Sequence, residues 1–393
     1  MKKLFVAAIM SLSLLTTSTF AEIKMGIILG FTGPIESLTP AMAASAELAF
    51  KEASDSGSLL GGEKITPVRA DSTCVDSAAA TTAAEGLVAQ GVAAIMGADC
   101  SGVTGAIASN VAVPKGVVMI SPSATSPGLT TLDDKGLFFR TAPSDARGGQ
   151  ILADIASDRG LKSVAITYTN NDYGKGLADV FEASFKANGG KVTIVASHED
   201  GKGSYSAEVA SLNAGGGDAL VVIGYLDQGG KGIIQDSIDS GSFDTFVLSD
   251  GMIGQSIADA IGSDLNGSFG SMPGTDSEGS AKFSGVASSA GIDSSGPYTG
   301  ESYDAAALIV LAMQAGGSAD RKSIADNIMG VANAPGEEIL PGELGKALKI
   351  LSGGGQINYQ GATDVELTDV GEASGSFKEL EVGGGKFNTV KIR

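Results

Sequence analysis

Short β-rich runs alternating with Ala-rich helical stretches constrain this chain more than any other feature. "KMGIILG" (24–30) precedes a helix expected from about Ser37 to Ala53, and "ITPVRAD" (65–71) precedes "DSAAATTAAEGLVAQG". "VAAIMGA" (92–98) precedes a helix expected near Ser101–Val111, and "VVMIS" (117–121) closes the set. Strands and helices that alternate over short loops predict a parallel sheet covered by helices. A second set follows Arg140. Strands are expected at 163–169, 191–197, 219–225 and 245–250, separated by helices near 145–159, 174–187, 204–213 and 230–240. It has the style of the first set but is not a sequence repeat of it. Helical stretches near Thr299–Ala315 and Arg321–Met329, the run "QINYQG" and two late strands, "GSFKELEV" and "KFNTVKI", complete the chain. The expected fold class is therefore α/β, with two Rossmann-like lobes built on parallel sheets.

Composition removes several function classes. The chain has 393 residues, room for about two domains of ordinary size. Its formal net charge of −19 makes it a poor partner for nucleic acid or anionic lipid. His198 is the one histidine, so a Ser-His-Asp triad depends on it alone and a two-His metal site cannot be built. "GYLDQGGKG" (224–232) fails as a phosphate-binding loop, because Gly232 stands where Ser or Thr would hold magnesium. No G-x-G-x-x-G opens a helix after a strand, and "NNDYGKG" lacks calcium-loop spacing. No cofactor, metal or catalytic activity is expected. At the N-terminus, Lys2 and Lys3 precede an apolar stretch from Leu4 to Leu15 and the small-residue segment "TFA" ending at Ala21. That pattern predicts a secretory signal peptide over residues 1–21, cleaved after Ala21, and an exported, periplasmic protein without a membrane span. Two cysteines in an exported chain, Cys74 and Cys100, predict one disulfide.

In open parallel sheets, ligands bind beyond the carboxyl ends of the strands. The residues expected there differ between the two sets. The first supplies small hydroxyls at loop-to-helix junctions, Ser101, Ser123 and Thr125, where free backbone N–H groups suit a carboxylate. The second supplies Tyr173, Tyr225 and Asp250, which suit an ammonium and an apolar side chain. Together they match a zwitterion. Each residue also has a plain structural job: Ser101 as a helix cap, Ser123 and Thr125 in a Pro-bounded turn, Asp250 in a turn, Tyr225 in the core.

The ordered segments "IILGFTGP", "DSTC…GADCS", "VVMISPSATSPGL", "RTAPSD" (140–145), "NNDYGKGL", "VVIGYLDQ" and "PYTGESYDAA" (297–306) resemble the periplasmic branched-chain amino-acid-binding proteins that serve ABC importers. The resemblance runs through most of the chain. It implies two lobes joined by three hinge crossings and closing on a ligand between them. Lobe 1 would comprise residues 22–142 and 272–355, and lobe 2 residues 143–271 and 356–393. It also implies that Ser101 and Thr125, with the backbone of Ser123 and Ala124, hold an α-carboxylate. Asp250 would hold the α-ammonium, Tyr173, Tyr225 and Tyr298 would wall the cleft, and the Cys74–Cys100 bridge would support the loop that presents Ser101. Two departures bear on selectivity: Leu38 stands where the family often has an aromatic residue, and Asp250 where Glu is commoner. A monomer that delivers an amino acid to an ABC permease is implied. An amide, urea or aromatic acid as ligand, or a periplasmic sensor role, are the alternatives.

Overall fold

The computed structural model describes residues 22–393; the expected leader and its cleavage site lie outside the described residues. The first sheet contains β1 (Glu22–Leu29), β2 (Lys64–Asp71), β3 (Ala94–Gly97), β4 (Val118–Ser121) and β5 (Phe138–Arg140), all parallel, in the order β2-β1-β3-β4-β5. Alternate residues of these strands feed opposite faces, as the two-residue repeat of a strand requires. Ile28, Ile95 and Met119 pack on one side, under helices α2 (Ser77–Ala89) and α3 (Ser101–Ile107). Met25, Ile27, Leu29, Met96 and Ile120 pack on the other, under α1 (Thr39–Asp55) and the buried helix Thr299–Ala315. Asp76 caps α2 by accepting hydrogen bonds from the N–H groups of Ala78 and Ala79 at 2.9 and 3.0 Å.

The second sheet holds β6 (Ser163–Thr169), β7 (Lys191–His198), β8 (Ala219–Ile223), β9 (Phe246–Leu248) and β10 (Phe269–Pro273) in parallel. All five residues of β8 are buried, the continuous apolar run expected of a central parallel strand. β11 (Glu337–Ile339) and β12 (Ile357–Tyr359) form a separate parallel pair. β13 (Phe377–Gly383) and β14 (Lys386–Ile392) extend the second sheet as an antiparallel hairpin, giving the order β14-β13-β10-β9-β8-β6-β7. Gly384 and Gly385 both take left-handed φ values in its two-residue turn, a conformation that favours glycine.

The chain passes between the sheets three times, after β5, after β10 and before β13. Two of the expected boundaries need correction. β10 continues through Pro273, so the second passage follows it and does not fall at 272. The return at 356 is later still: Tyr359, Val365 and Leu367 belong to the first-sheet core. The cause is Asp304 on the helix Thr299–Ala315. Its buried carboxylate accepts hydrogen bonds from the Tyr359 hydroxyl at 2.7 Å, the Ala362 N–H at 2.8 Å and the Thr363 hydroxyl at 2.7 Å. These bonds pin residues 359–363 to the first lobe, and the Leu367 N–H donating to Asn333 Oδ1 at 2.9 Å and the Ala373 N–H donating to the Arg140 carbonyl at 3.0 Å hold the chain there as far as 373.

Candidate functional site

The carboxyl ends of both sheets face one cleft. On the first-lobe side, Asp99 follows β3 and is buried, with a carboxylate that accepts from Gly30 N–H at 2.6 Å, Cys100 N–H at 2.9 Å and the Ser72 hydroxyl at 3.1 Å. Burial raises its pKa, and these donors pull it back. The Cys74–Cys100 disulfide forms and ties the loop after β2 to the start of α3. Ser101 is the first residue of α3, and its hydroxyl accepts from Ser126 N–H at 3.1 Å. The Ser123 hydroxyl donates to the carbonyl of Asp99 at 3.1 Å. The 121–127 loop is thus held at two points, to Ser101 in α3 and to Asp99 just before it. Arg140, 1% exposed, supports it from behind by donating to the carbonyls of Ala124 and Ser126 at 3.0 and 2.9 Å while pairing with Glu372.

On the second-lobe side, Asn171 caps the helix Asp172–Ala187 and sets Tyr173 in its first turn. The ring of Tyr225, after β8, stacks on that of Tyr173 with centroids 5.3 Å apart. The Tyr173 hydroxyl donates to Asp250 Oδ1 at 2.7 Å and accepts from Gly251 N–H at 3.1 Å. Tyr298, from the first lobe, donates to Asp250 Oδ2 across the cleft. Tyr298 sits at the start of the helix Thr299–Ala315 with φ +61°, a left-handed conformation uncommon for a bulky residue. Burial raises the Asp250 pKa, and the two phenols offset part of that rise. Burial also holds both phenols well above their usual pKa, so they remain donors at neutral pH.

These groups line a cavity between the two lobes. Its wall includes Leu38, Ser101, Ser123, Tyr173, Tyr225, Asp250 and Tyr298, seven of the residues singled out from sequence. Ala124 and Thr125 lie behind the wall, fully buried, and the Thr125 hydroxyl has no hydrogen-bond partner among the described residues. Among the described residues, no Lys, Arg or His contributes to the wall. The cavity therefore has the hydroxyls of Ser101 and Ser123 beside Asp99 at one end, Asp250 at the other and an apolar side of Ile35, Leu38 and Met42. Sequence reasoning missed Ile35, which lies in the turn before α1, and Met42, which lies in the first turns of that helix. It also missed Asp145, the first residue of the helix Asp145–Asp158. Asp145 is buried, one of its carboxylate oxygens lacks a partner, and its pKa lies well above the usual range through burial and then the charge of Asp250.

Comparisons with known proteins agree with this architecture. The sequence profile of the family described as periplasmic binding protein matches residues 22–344. A Leu/Ile/Val-binding protein homolog 3 of Brucella melitensis is 31% identical over 176 residues, 44% of this chain and 46% of that protein, so the match spans about half of it. A Leu/Ile/Val-binding protein homolog 1 of the same species is 30% identical over 78% of this chain and 82% of its own length. The chemotactic substrate-binding protein BasB of Halobacterium salinarum is 26% identical over 88% of this chain and 83% of its own. Among solved structures, the leucine-binding protein LivK from Thermotoga maritima superposes with a TM-score of 0.79 at 22% identity, covering 94% of this chain and 98% of the other. LivJ from Streptococcus pneumoniae, in complex with isoleucine, gives 0.77 at 22%, covering 95% and 99%. A benzoate-bound solute-binding protein from R. palustris gives 0.76 at 19%, covering 95% and 96%. At these identities the structures speak for the fold alone. With two α/β lobes closing on one polar-ended cavity and a profile match over most of its length, the chain belongs to the periplasmic binding protein family, whose members bind solutes.

Proposed function

We propose that this protein is an exported solute-binding component of an ABC importer that takes an L-amino acid with an apolar side chain into the cleft and hands it to a membrane permease. The observation that carries this reading is Asp250: a buried carboxylate, bonded by one phenol from each lobe, in a cavity without a basic side chain. Each carboxylate oxygen retains acceptor capacity for an ammonium. At the far end, the hydroxyls of Ser101 and Ser123 and the first N–H groups of α3 suit a carboxylate. Ile35, Leu38 and Met42, opposite the tyrosines, suit an aliphatic side chain. Thr125 and Ala124 act from behind by shaping the loop.

An aromatic acid is the second reading, since benzoate-bound neighbours share the fold. Asp250 weighs against it, because a ligand carrying only negative charge would leave that carboxylate uncompensated. The homology to BasB keeps a sensor role as the alternative downstream fate of the same bound solute. A thermal-shift screen separates the ligand classes. It would include L-amino acids, D-isomers, urea, short amides and aromatic acids. Melting rises with ln(1 + [L]/Kd) for a ligand that binds only the native state. Shifts with Leu, Ile or Val, and none with their amides or deaminated acids, are expected. Shifts with benzoate or an amide alone would overturn the amino-acid reading.

A further inference from the structure

We infer that Asp227 is a positioning residue that fixes Leu38 over the cavity and sets how long a bound solute is retained. Asp227 belongs to the second lobe, two residues beyond Tyr225. Its Oδ2 accepts from the N–H of Ser37 at 2.9 Å, and its own N–H donates to the carbonyl of Pro34 at 3.0 Å. Both partners lie in the first lobe. They bracket Ile35 and immediately precede Leu38, the two residues that begin the apolar side of the cavity. Within the second lobe, the Ser256 hydroxyl donates to Asp227 Oδ1 at 2.9 Å and orients the carboxylate; the same hydroxyl lies 3.1 Å from that of Ser37.

Leu38 is seated by the same contact. Gly254, two residues before Ser256, passes so close that a Cβ there would stand 3.2 Å from Leu38 Cδ2 and 2.5 Å from Leu226 Cδ1. Leu38 is the N-cap position of α1 and has no side-chain cap. The Asp227 carboxylate therefore satisfies an N–H beside an uncapped helix start, where the partial positive charge of the helix favours an anion. Opening the cleft would separate all three interlobe contacts at once. None of them touches the cavity contents, so they act on the lifetime of the closed state and not on encounter with the solute.

This inference rests on the interlobe cavity being the solute site, and the experiment separates the two. L-leucine would be mixed with the oxidised full chain and binding followed in stopped flow by tyrosine fluorescence. Asp227→Ala is expected to raise the dissociation rate roughly tenfold, as loss of a hydrogen bond to a charged group implies, with the association rate within about twofold. Asp227→Asn, which keeps one acceptor, should fall between. Ser256→Ala should give a smaller rise that is not additive with Asp227→Ala, because both act through one carboxylate. A second arm needs no ligand. A Ser37→Cys/Ser256→Cys pair should cross-link under mild oxidation, and more slowly when Asp227→Ala is added. Slower cross-linking with no leucine signal would sustain the role of Asp227 and remove the leucine assignment. Leucine binding with unchanged dissociation in Asp227→Ala would overturn the role, as would a matching fall in the melting temperature of the ligand-free variant.

Discussion

At the scale of single residues, Asp250 concentrates the chemistry. Removing its carboxylate would leave a bound ammonium desolvated against two phenols, so Asp250→Ala should weaken amino-acid binding well over tenfold. The same residue gives a pH signature. Its pKa is raised by burial, and the ammonium requires the ionised form, so affinity should decline on acidification from a higher pH than an ordinary aspartate would give. Titration calorimetry with L-leucine from pH 8 downward measures this; a flat profile, or unchanged affinity in Asp250→Ala, would remove the ammonium assignment. Most of this wall was legible because strands could be read from apolar runs, and the residues after each strand then follow from fold geometry. Tyr173, Tyr225 and Asp250 were found that way. What sequence did not settle is which side of a loop faces the cavity. Thr125 and Ser123 are two residues apart, yet only Ser123 reaches the wall. Asp145 was hidden for a related reason: it follows Ser144 as an ordinary first-turn acid, and only folding brings it within the field of Asp250.

Elements, not isolated side chains, keep the hydroxyl end in shape. The 121–127 loop lacks internal regular structure before Pro127 and takes its form from Arg140, whose guanidinium reaches two of its carbonyls and the Thr130 hydroxyl at 2.8 Å. Arg140→Leu would leave the two carbonyls without their side-chain donor and strip Glu372 of its charged partner, with the Thr130 hydroxyl still donating to it. Loss of one partner of a buried ion pair costs about 3–5 kcal/mol. We expect that loss in urea unfolding, together with weakened ligand binding; an unchanged midpoint would mean the loop holds its form without Arg140. The bridge between Cys74 and Cys100 acts on the neighbouring element. It spans 26 residues in sequence, and in the loop-entropy model a closure of that length contributes about 3–4 kcal/mol. Reduction should therefore lower the melting temperature and loosen the start of α3, with Ser101. The long strands and helices were readable from their periodicity. β5 and β11 have three residues each, too few for a period to register, and β10 carries Gly270 and Pro273 within its five. The third passage between lobes was expected too early in the chain because the segment before it is held to the first lobe by Asp304, a buried acid 55 residues from Tyr359 in sequence.

For the molecule as a whole, burial of titratable groups in the two lobes sets opposing pH trends. In the second lobe, burial lowers His198 from 6.5 to about 4, so its neutral form contributes stability that is present above pH 6.5 and lost as pH falls toward 4. In the first lobe, Glu301 lies beside a passage between the lobes, where its carbonyl accepts from the Thr141 hydroxyl at 2.8 Å. Burial raises its carboxyl from 4.5 to about 7, and the neighbouring Asp304 adds to the rise. A raised acid has the opposite sign: its contribution is complete below pH 4.5 and lost as pH rises through 7. The ionised form would then cost on the order of 3 kcal/mol above pH 7. Glu301→Gln removes that titration and keeps the shape. The variant and the parent should have similar pH slopes below pH 4.5 and diverge steadily to pH 7, with the variant gaining stability relative to the parent as pH rises. Calorimetric unfolding of the ligand-free chain across pH 4–8 measures the divergence. Parallel profiles would mean that Glu301 is relieved of its charge cost by solvent at the passage, and the trend at neutral pH would then fall to Asp304, itself raised to about 6.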